Sequence, residues 1–358
     1  MVTLLSFIFV IGVLVFVHEL GHFLAAKSVG MKVEKFYLGF NLFGLGLRKK
    51  WGDTEYGIGL FPLGGYVKVA GVIDESMDDS TTGEAWEFQS KNALQQIWFM
   101  SAGVIMNVVL AIVLFTIITF KMGIGEPNPQ PIIGQILSSN DSPAPAELLG
   151  LETGDRILEI NGITVNTWGE MTDIVHNQPE TMVFVKWQRG LLEYADSVKT
   201  ISTEMVVDGK IKTLGMIGIS PEIIIHEASF SESVSAGFIK TFLWLNLTVE
   251  SLSMLITGEA SFDDVGGPVM IAQIAGESAR SGIWTLFNLM AIISINLALL
   301  NILPIPGLDG GHIIIASIEG ISRRKLPAKI KMGVQQFGML LLLILFVFIM
   351  INDISRLF

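Results

Sequence analysis

Residues 1–28 read MVTLLSFIFVIGVLVFVHELGHFLAAKS. From Met1 to about Ala26 the run is predominantly apolar, interrupted near its end by His18-Glu-Leu-Gly-His22. A helix crosses a bilayer with about 20 mostly apolar residues, so the run predicts a membrane span. Ionisable side chains inside a span are costly and by default functional, so two histidines and a glutamate there call for a chemical reason. A cleaved signal peptide would carry basic residues before its apolar core and a small-residue cleavage site after it. Here no basic residue precedes Lys27, which argues for a retained span.

Working outward, three more segments have the length and apolarity of spans: about Ile97–Phe120, Ile283–Leu303 and Met332–Ile351. Phe238–Ile256 is also apolar but carries Lys240, Asn246 and Glu250, and reads as an amphipathic helix lying on the lipid surface. The composition agrees. Of 358 residues, 51% are hydrophobic and 16% charged, against about 25% charged in soluble domains. The net charge of −11 argues against nucleic acid as a partner, which needs clustered Lys and Arg. With no cysteine, thiolate zinc sites, iron–sulfur clusters and cysteine nucleophiles are excluded.

Orientation follows from the basic residues flanking the spans. Lys27, Lys32, Lys35, Arg48, Lys49 and Lys50 follow the first span, and Arg323, Arg324, Lys325, Lys329 and Lys331 separate the third from the fourth. Both loops are expected in the cytoplasm, with the two termini and residues 121–282 outside.

Between the first two spans, residues 55–69 alternate around Pro62 and Gly64-Gly65, predicting a β-hairpin (about 55–70) that packs on the membrane face. Residues 74–83 are acidic and turn-rich, and residues 85–96 predict a short interfacial helix. Between the second and third spans, Pro127, Pro129 and Pro131 suggest a stiff linker. Strand-like runs follow at 132–136, 156–160, 182–187 and 198–205. The segment Gly150-Leu-Glu-Thr-Gly-Asp-Arg-Ile-Leu-Glu-Ile-Asn-Gly162 resembles the core of a PDZ domain, a fold that accepts an extended peptide at a sheet edge. The expected division is residues 1–122 (two spans with the hairpin), 127–222 (PDZ-like), 223–282 (an extracytoplasmic amphipathic linker) and 283–358 (the last two spans).

The chemistry concentrates in His18-Glu19-Leu-Gly-His22, an H-E-x-x-H pattern. On a helix, positions four apart share a face, so both imidazoles can ligate one zinc. Glu19 then stands where it can take a proton from water at the metal. A haem site or metal transporter also uses membrane histidines, but neither explains the glutamate. A catalytic zinc takes three protein ligands. The remaining histidines are His176, His226 and His312. Asp309 lies in Asn301-Ile-Leu-Pro-Ile-Pro-Gly-Leu-Asp-Gly-Gly-His312, at the same membrane side as His18 and His22. The Pro and Gly residues there break the helix, which a membrane tolerates where backbone lines a polar cavity. Asp309 is the preferred third ligand, with His312 as the alternative.

These two motifs together resemble the paired signature of site-2 proteases. With Phe61-Pro-Leu-Gly-Gly-Tyr-Val67 and a PDZ-like segment between spans two and three, the chain is most similar to the bacterial regulator-of-sigma-E protease group. Ser294-Ile-Asn296-Leu and Asn352-Asp-Ile-Ser-Arg-Leu357 also resemble that group. The resemblance implies a polytopic α-helical protein of four transmembrane helices in the bacterial inner membrane, with an extracytoplasmic PDZ-like mixed α/β domain and a cytoplasmic-side β-hairpin. It implies zinc held by His18, His22 and Asp309, Glu19 as general base, and substrate backbone engaged by Asn296, Asn301 and the hairpin residues Gly64, Gly65 and Tyr66. The implied substrates are single-span membrane proteins, such as anti-sigma factors or remnant signal peptides, trimmed beforehand by an upstream site-1 protease. The alternative is a catalytically inactive PDZ-bearing membrane scaffold. Two departures from the group stand out: there is room for one PDZ-like domain where tandem pairs are usual, and in Ala102-Gly-Val-Ile-Met-Asn107 a valine replaces the usual proline.

Overall fold

The computed structural model describes residues 1–40, 46–59, 61–72, 82–137, 143–207, 210–261, 265–356. It forms two compact units, Met1–Lys121 with Ser229–Phe358, and Met122–Ala228.

The first unit begins with α1 (Val2–Ser28). Four strands follow: β1 (Val33–Phe40), β2 (Gly46–Trp51), β3 (Thr54–Gly59) and β4 (Phe61–Val69). Their order in the sheet is β2-β3-β1-β4. The 55–70 segment is therefore not a hairpin. β3 pairs with β1 in parallel, and β4 pairs with β1 antiparallel. The expectation failed because Val33–Phe40, a buried alternating strand, inserts between the two and takes the ladder bonds of both. Gly64-Gly65 consequently lies within β4 rather than in a turn. The actual hairpin is β2–β3, turning at Gly52 with φ +60°.

Most of the acidic 74–83 stretch lies outside the described residues. Residues 85–96 are not a separate helix. Asn92 accepts the Gln95 backbone N–H at 2.9 Å, and the Gln95 side chain accepts the Asn92 N–H at 3.2 Å. This reciprocal cap starts α2 (Ala93–Met122) four residues before the expected span.

The second unit carries β5 (Ile124–Pro127), β6 (Ile133–Ile136), α3 (Pro145–Leu148), β7 (Arg156–Ile160), β8 (Ile163–Thr164), α4 (Trp168–His176), β9 (Met182–Arg189), β10 (Leu192–Lys199), β11 (Ile201–Val207), β12 (Lys210–Met216), β13 (Ile219–Pro221) and β14 (Ile223–His226). Its main sheet runs β10-β9-β7-β8, and short ribbons pair β11 with β12, β13 with β6 and β14 with β5. Alternate residues of β7 and β9 (Ile157, Val183, Val185, Trp187) and one face of α4 (Met171, Val175) build its core. The proline segment is part of this unit rather than a free linker. Carbonyls of Pro129 and Pro131 accept the N–H groups of Trp168 and Ile157. A proline lacks only its donor, so its acceptor remains available to the fold. The β5–β14 ribbon brings the entry and exit of this unit side by side.

The chain returns through α5 (Phe230–Thr257), α6 (Pro268–Ser281), α7 (Ile283–Ile302), α8 (Asp309–Ser322) and α9 (Ala328–Ser355). Among the described residues, five helices are long and apolar enough to cross a membrane: α1, α2, α5, α7 and α9. The expected surface helix is thus α5, and it starts earlier, where Ser229 and Glu232 form a capping box. Its buried stripe Ser233, Gly237 and Thr241 allows close approach to α2, where a Cβ on Gly237 would sit 2.8 Å from the Ile112 carbonyl oxygen. Small residues at this spacing are how membrane helices pack. At the far end of α9, buried Asp353 accepts the N–H groups of Gly267, Val269 and Met270 at 3.2, 2.7 and 3.1 Å and so caps α6.

Candidate metal centre

The i, i+4 spacing on α1 turns His18 and His22 to one buried face, with ring centroids 4.8 Å apart. Opposite them the polypeptide breaks between α7 and α8. Pro304 and Pro306 cannot continue α7, and Gly307 takes φ +97°. α8 then opens on Asp309, whose carboxylate faces the histidines. The loop is tight. A Cβ on Gly311 would lie 2.5 Å from the Ile305 carbonyl oxygen, a position only glycine fills.

His18 Nε2, His22 Nε2 and Asp309 Oδ2 form a near-equilateral triangle with edges of 3.2, 3.3 and 3.4 Å. Donors about 2.0–2.1 Å from a tetrahedral zinc lie about 3.3 Å apart, so the set fits zinc. The protonation pattern fits as well. His22 Nδ1 donates to the Phe99 carbonyl oxygen at 2.9 Å, which leaves its Nε2 as a lone pair toward the triangle. His18 Nδ1 meets the side-chain amide of buried Asn107 at 3.2 Å. Asp309 Oδ2 is buried and has no hydrogen-bond partner among the described residues. Two imidazole lone pairs and an unpartnered carboxylate oxygen repel one another unless a cation joins them.

Glu19, on the next face of α1, lines the same cavity of about 460 Å³ with Gly65, Tyr66 and Val67 of β4, and with His312 and Gln335. The backbone of Val67 lies beside the Glu19 carboxylate. β4 is an edge strand of its sheet, and Gly65 lets it run against Val15 and Glu19 of α1. Gly64 has φ +96°, and Tyr66 stacks on Tyr37 at 5.3 Å.

Of the other residues singled out from sequence, Asn301 Nδ2 lies 3.5 Å from His18 Nε2. Asn296 does not line this cavity; its Oδ1 accepts the Thr248 hydroxyl of α5 at 2.9 Å. His312 lines the cavity but meets Gln335 at 3.2 Å instead of joining the triangle. His176 and His226 belong to the second unit.

Two residues were not foreseen. Gly103 gives the imidazoles their room, because a Cβ there would sit 2.5 Å from His22 Nε2 and 2.6 Å from His18 Cε1. Asn107 supports His18. The available signal was a polar amide within an apolar span, which by default has a function.

The family model described as peptidase family M50 matches residues 6–345. A protein of Clostridium acetobutylicum, provisionally named a zinc metalloprotease, is 34% identical over 345 residues, 96% of this chain and 94% of its own length. Zinc metalloprotease RasP of Geobacillus kaustophilus is 30% identical over 99% of this chain and 98% of its own. Among solved structures, the PDZ domain of an SdrC-like protein from Listeria monocytogenes covers 27% of this chain and 92% of its own, at 22% identity and a TM-score of 0.20. A match that runs through both motifs and nearly end to end has one consequence for identity: this chain belongs to peptidase family M50, the site-2 protease family of zinc metalloproteases.

Proposed function

We propose that the chain hydrolyses a peptide bond within or beside the transmembrane segment of single-span membrane proteins, with zinc held by His18, His22 and Asp309 and with Glu19 as general base. The carrying observation is the triangle of donor atoms with Glu19 in the same cavity. Bound there, zinc supplies Lewis acidity, polarising a carbonyl and lowering the pKa of water. Glu19 takes the proton of the attacking water, whose oxygen bonds the carbonyl carbon. As the C–N bond breaks, Glu19 returns the proton to the leaving amine.

A helical substrate must unwind before its amides can be reached, and unpaired backbone groups in lipid cost several kcal/mol each. The free edge of β4 at Gly64–Val67 offers ladder partners for one side of the unwound stretch, by β-strand addition. Asn301, beside His18, offers an amide to the other. Asn296 acts indirectly, through its bond to Thr248.

In this reading α1, α2, α7 and α9 cross the membrane, α5 packs along α2 and α7, and the basic residues of β2 and of the α8–α9 connection face the cytoplasm. Both termini and the second unit then lie outside, in the inner membrane of a bacterium. The second unit acts as a PDZ-like gate that admits substrates already shortened by an upstream protease; anti-sigma factors and remnant signal peptides are the substrate classes in view.

The test is cleavage of a tagged single-span substrate by the purified protein, by Glu19→Gln, and after zinc chelation. Cleavage by the native protein alone supports the reading. A native protein that holds zinc yet cuts nothing, even with residues 131–221 deleted, would make it a membrane scaffold.

A further inference from the structure

We propose that the β2 edge, residues 46–51, docks on the cytoplasmic surface of the bilayer, where Arg48, Lys49 and Lys50 hold the phosphates of anionic phospholipids. Leu47 and Ile58 then lie among the acyl chains, and Trp51 lies at the boundary. No residue of β2 lines the metal cavity, so this surface acts whatever the protein cleaves.

Contacts between the sheet and α1 set the depth of the hairpin. Lys27, in the last turn of α1, donates to Thr54 at 3.3 Å. About one turn deeper, Phe23 meets the Tyr56 ring at 6.0 Å, and about two turns below that Phe16 meets the Phe36 ring at 6.0 Å. Cα partners across an antiparallel pair carry their side chains on one face. Trp51 pairs with Thr54, Lys49 with Tyr56 and Leu47 with Ile58. Trp51 is therefore level with the end of α1, and Leu47 and Ile58 lie up to about 7 Å deeper than Tyr56. The strand is graded along its length: apolar at depth, cationic and aromatic where the span ends.

All six residues of β2 are exposed. Leu47 is 78%, Ile58 57% and Trp51 81% exposed, and they share the face that sets Phe36 and Tyr56 against α1. They continue the lipid-facing side of α1, where Phe16 and Leu24 are exposed as well. Exposed apolar side chains grouped in this way mark an interaction site, and tryptophan is the residue of the membrane boundary. Among the described residues, Arg48, Lys49 and Lys50 have no ion-pair partner. Asp53 in the turn and Glu55 opposite Lys50 are carboxylates of the same hairpin, and Glu55 accepts the Tyr37 hydroxyl. Lysine on an edge strand can serve only to block pairing with another sheet, but that role leaves Leu47 and Trp51, on either side of Lys49, without a purpose. A phosphate layer above acyl chains accounts for both. Long cationic side chains reach the phosphates from stems lying in lipid, and each cation near an anionic surface adds to the attraction.

The chain has no cysteine, so Asp53→Cys gives a single attachment point for a fluorophore at the hairpin turn. The labelled full-length protein is placed in nanodiscs of phosphatidylcholine, with or without about 30% phosphatidylglycerol, that also contain a lipid carrying a quenching nitroxide on its headgroup. Quenching should be about twofold greater with phosphatidylglycerol, and the gain should fall away between about 0.05 and about 0.5 M salt. Arg48→Gln with Lys49→Gln and Lys50→Gln should abolish the gain, and Trp51→Ser should lower quenching in both lipids. A label at Phe9→Cys, on an exposed position of α1, should read the same in every variant and both lipids, which shows that each is folded and inserted. Equal quenching at Asp53→Cys with and without phosphatidylglycerol, or an undiminished gain in the triple variant, would overturn the proposal.

Discussion

The side-chain amide of Asn107 on α2 lies 3.2 Å from His18 Nδ1 on α1, and Ser294 of α7 donates to the Asn107 carbonyl oxygen at 2.8 Å. With Nδ2 toward the imidazole, the buried Asn107 Oδ1 has no partner. With the amide turned over, Oδ1 accepts the Nδ1 proton, and His18 Nε2 is fixed as a lone pair toward Asp309. Outer partners of this kind change metal affinity by about 10–100-fold. Asn107→Leu should therefore lose zinc to a competing chelator about that much more readily, while Asn107→Asp, which keeps an acceptor, should retain most of the affinity. Equal retention by the native protein and Asn107→Leu would remove Asn107 from the site.

Gly103→Ala should act on the same pair of rings by a different route. The added Cβ falls 2.5 Å from His22 Nε2 and 2.8 Å from His18 Nδ1, closer than non-bonded atoms approach. Either the rings turn or α2 retreats from α1, and each breaks the 3.2 Å edge of the triangle. The expected outcome is loss of stoichiometric zinc with helix content by circular dichroism unchanged. Full zinc content in Gly103→Ala would show that α2 can yield.

Asp353→Ala removes a carboxylate that accepts three backbone N–H groups at the start of α6. Loss of a helix cap typically costs about 0.5–2 kcal/mol, and the favourable dipole term is lost with it. A lower thermal midpoint is expected, with zinc content kept, because the cap sits at the other end of α9 from Gln335, which lines the cavity.

Glu87 carries a pH dependence outside the spans. The backbone N–H and hydroxyl of Thr82, and the N–H of Gly83, hold its carboxyl below the ordinary value of 4.5. The folded state therefore binds the Glu87 proton more weakly than the unfolded state does. Its contribution to stability is complete above the unfolded pKa and is lost as pH falls through the folded one. Thermal midpoints of the native protein and Glu87→Gln should differ at pH 7 and converge in acid. A constant difference across that range would contradict the assignment.

Much of the centre was legible in the sequence, for local reasons. Apolar runs of span length mark α1, α2, α7 and α9 whatever surrounds them, because the bilayer demands intrasegment hydrogen bonding. The four-residue spacing of His18 and His22 puts both on one helical face without reference to any other element. Pro304, Pro306 and Gly307 announce a broken helix from their backbone chemistry alone. What tertiary structure alone decided is non-local. β3 and β4 are neighbours in sequence yet bond to β1 rather than to each other, because ladder bonds go to whichever strand completes the sheet. The meeting of Asp309 with two histidines on α1, the space at Gly103, the support from Asn107 and the cap from Asp353 each join residues distant along the chain. Periodicity reports one element at a time, and these relationships exist only once packed helices bring the side chains within a few ångströms of one another.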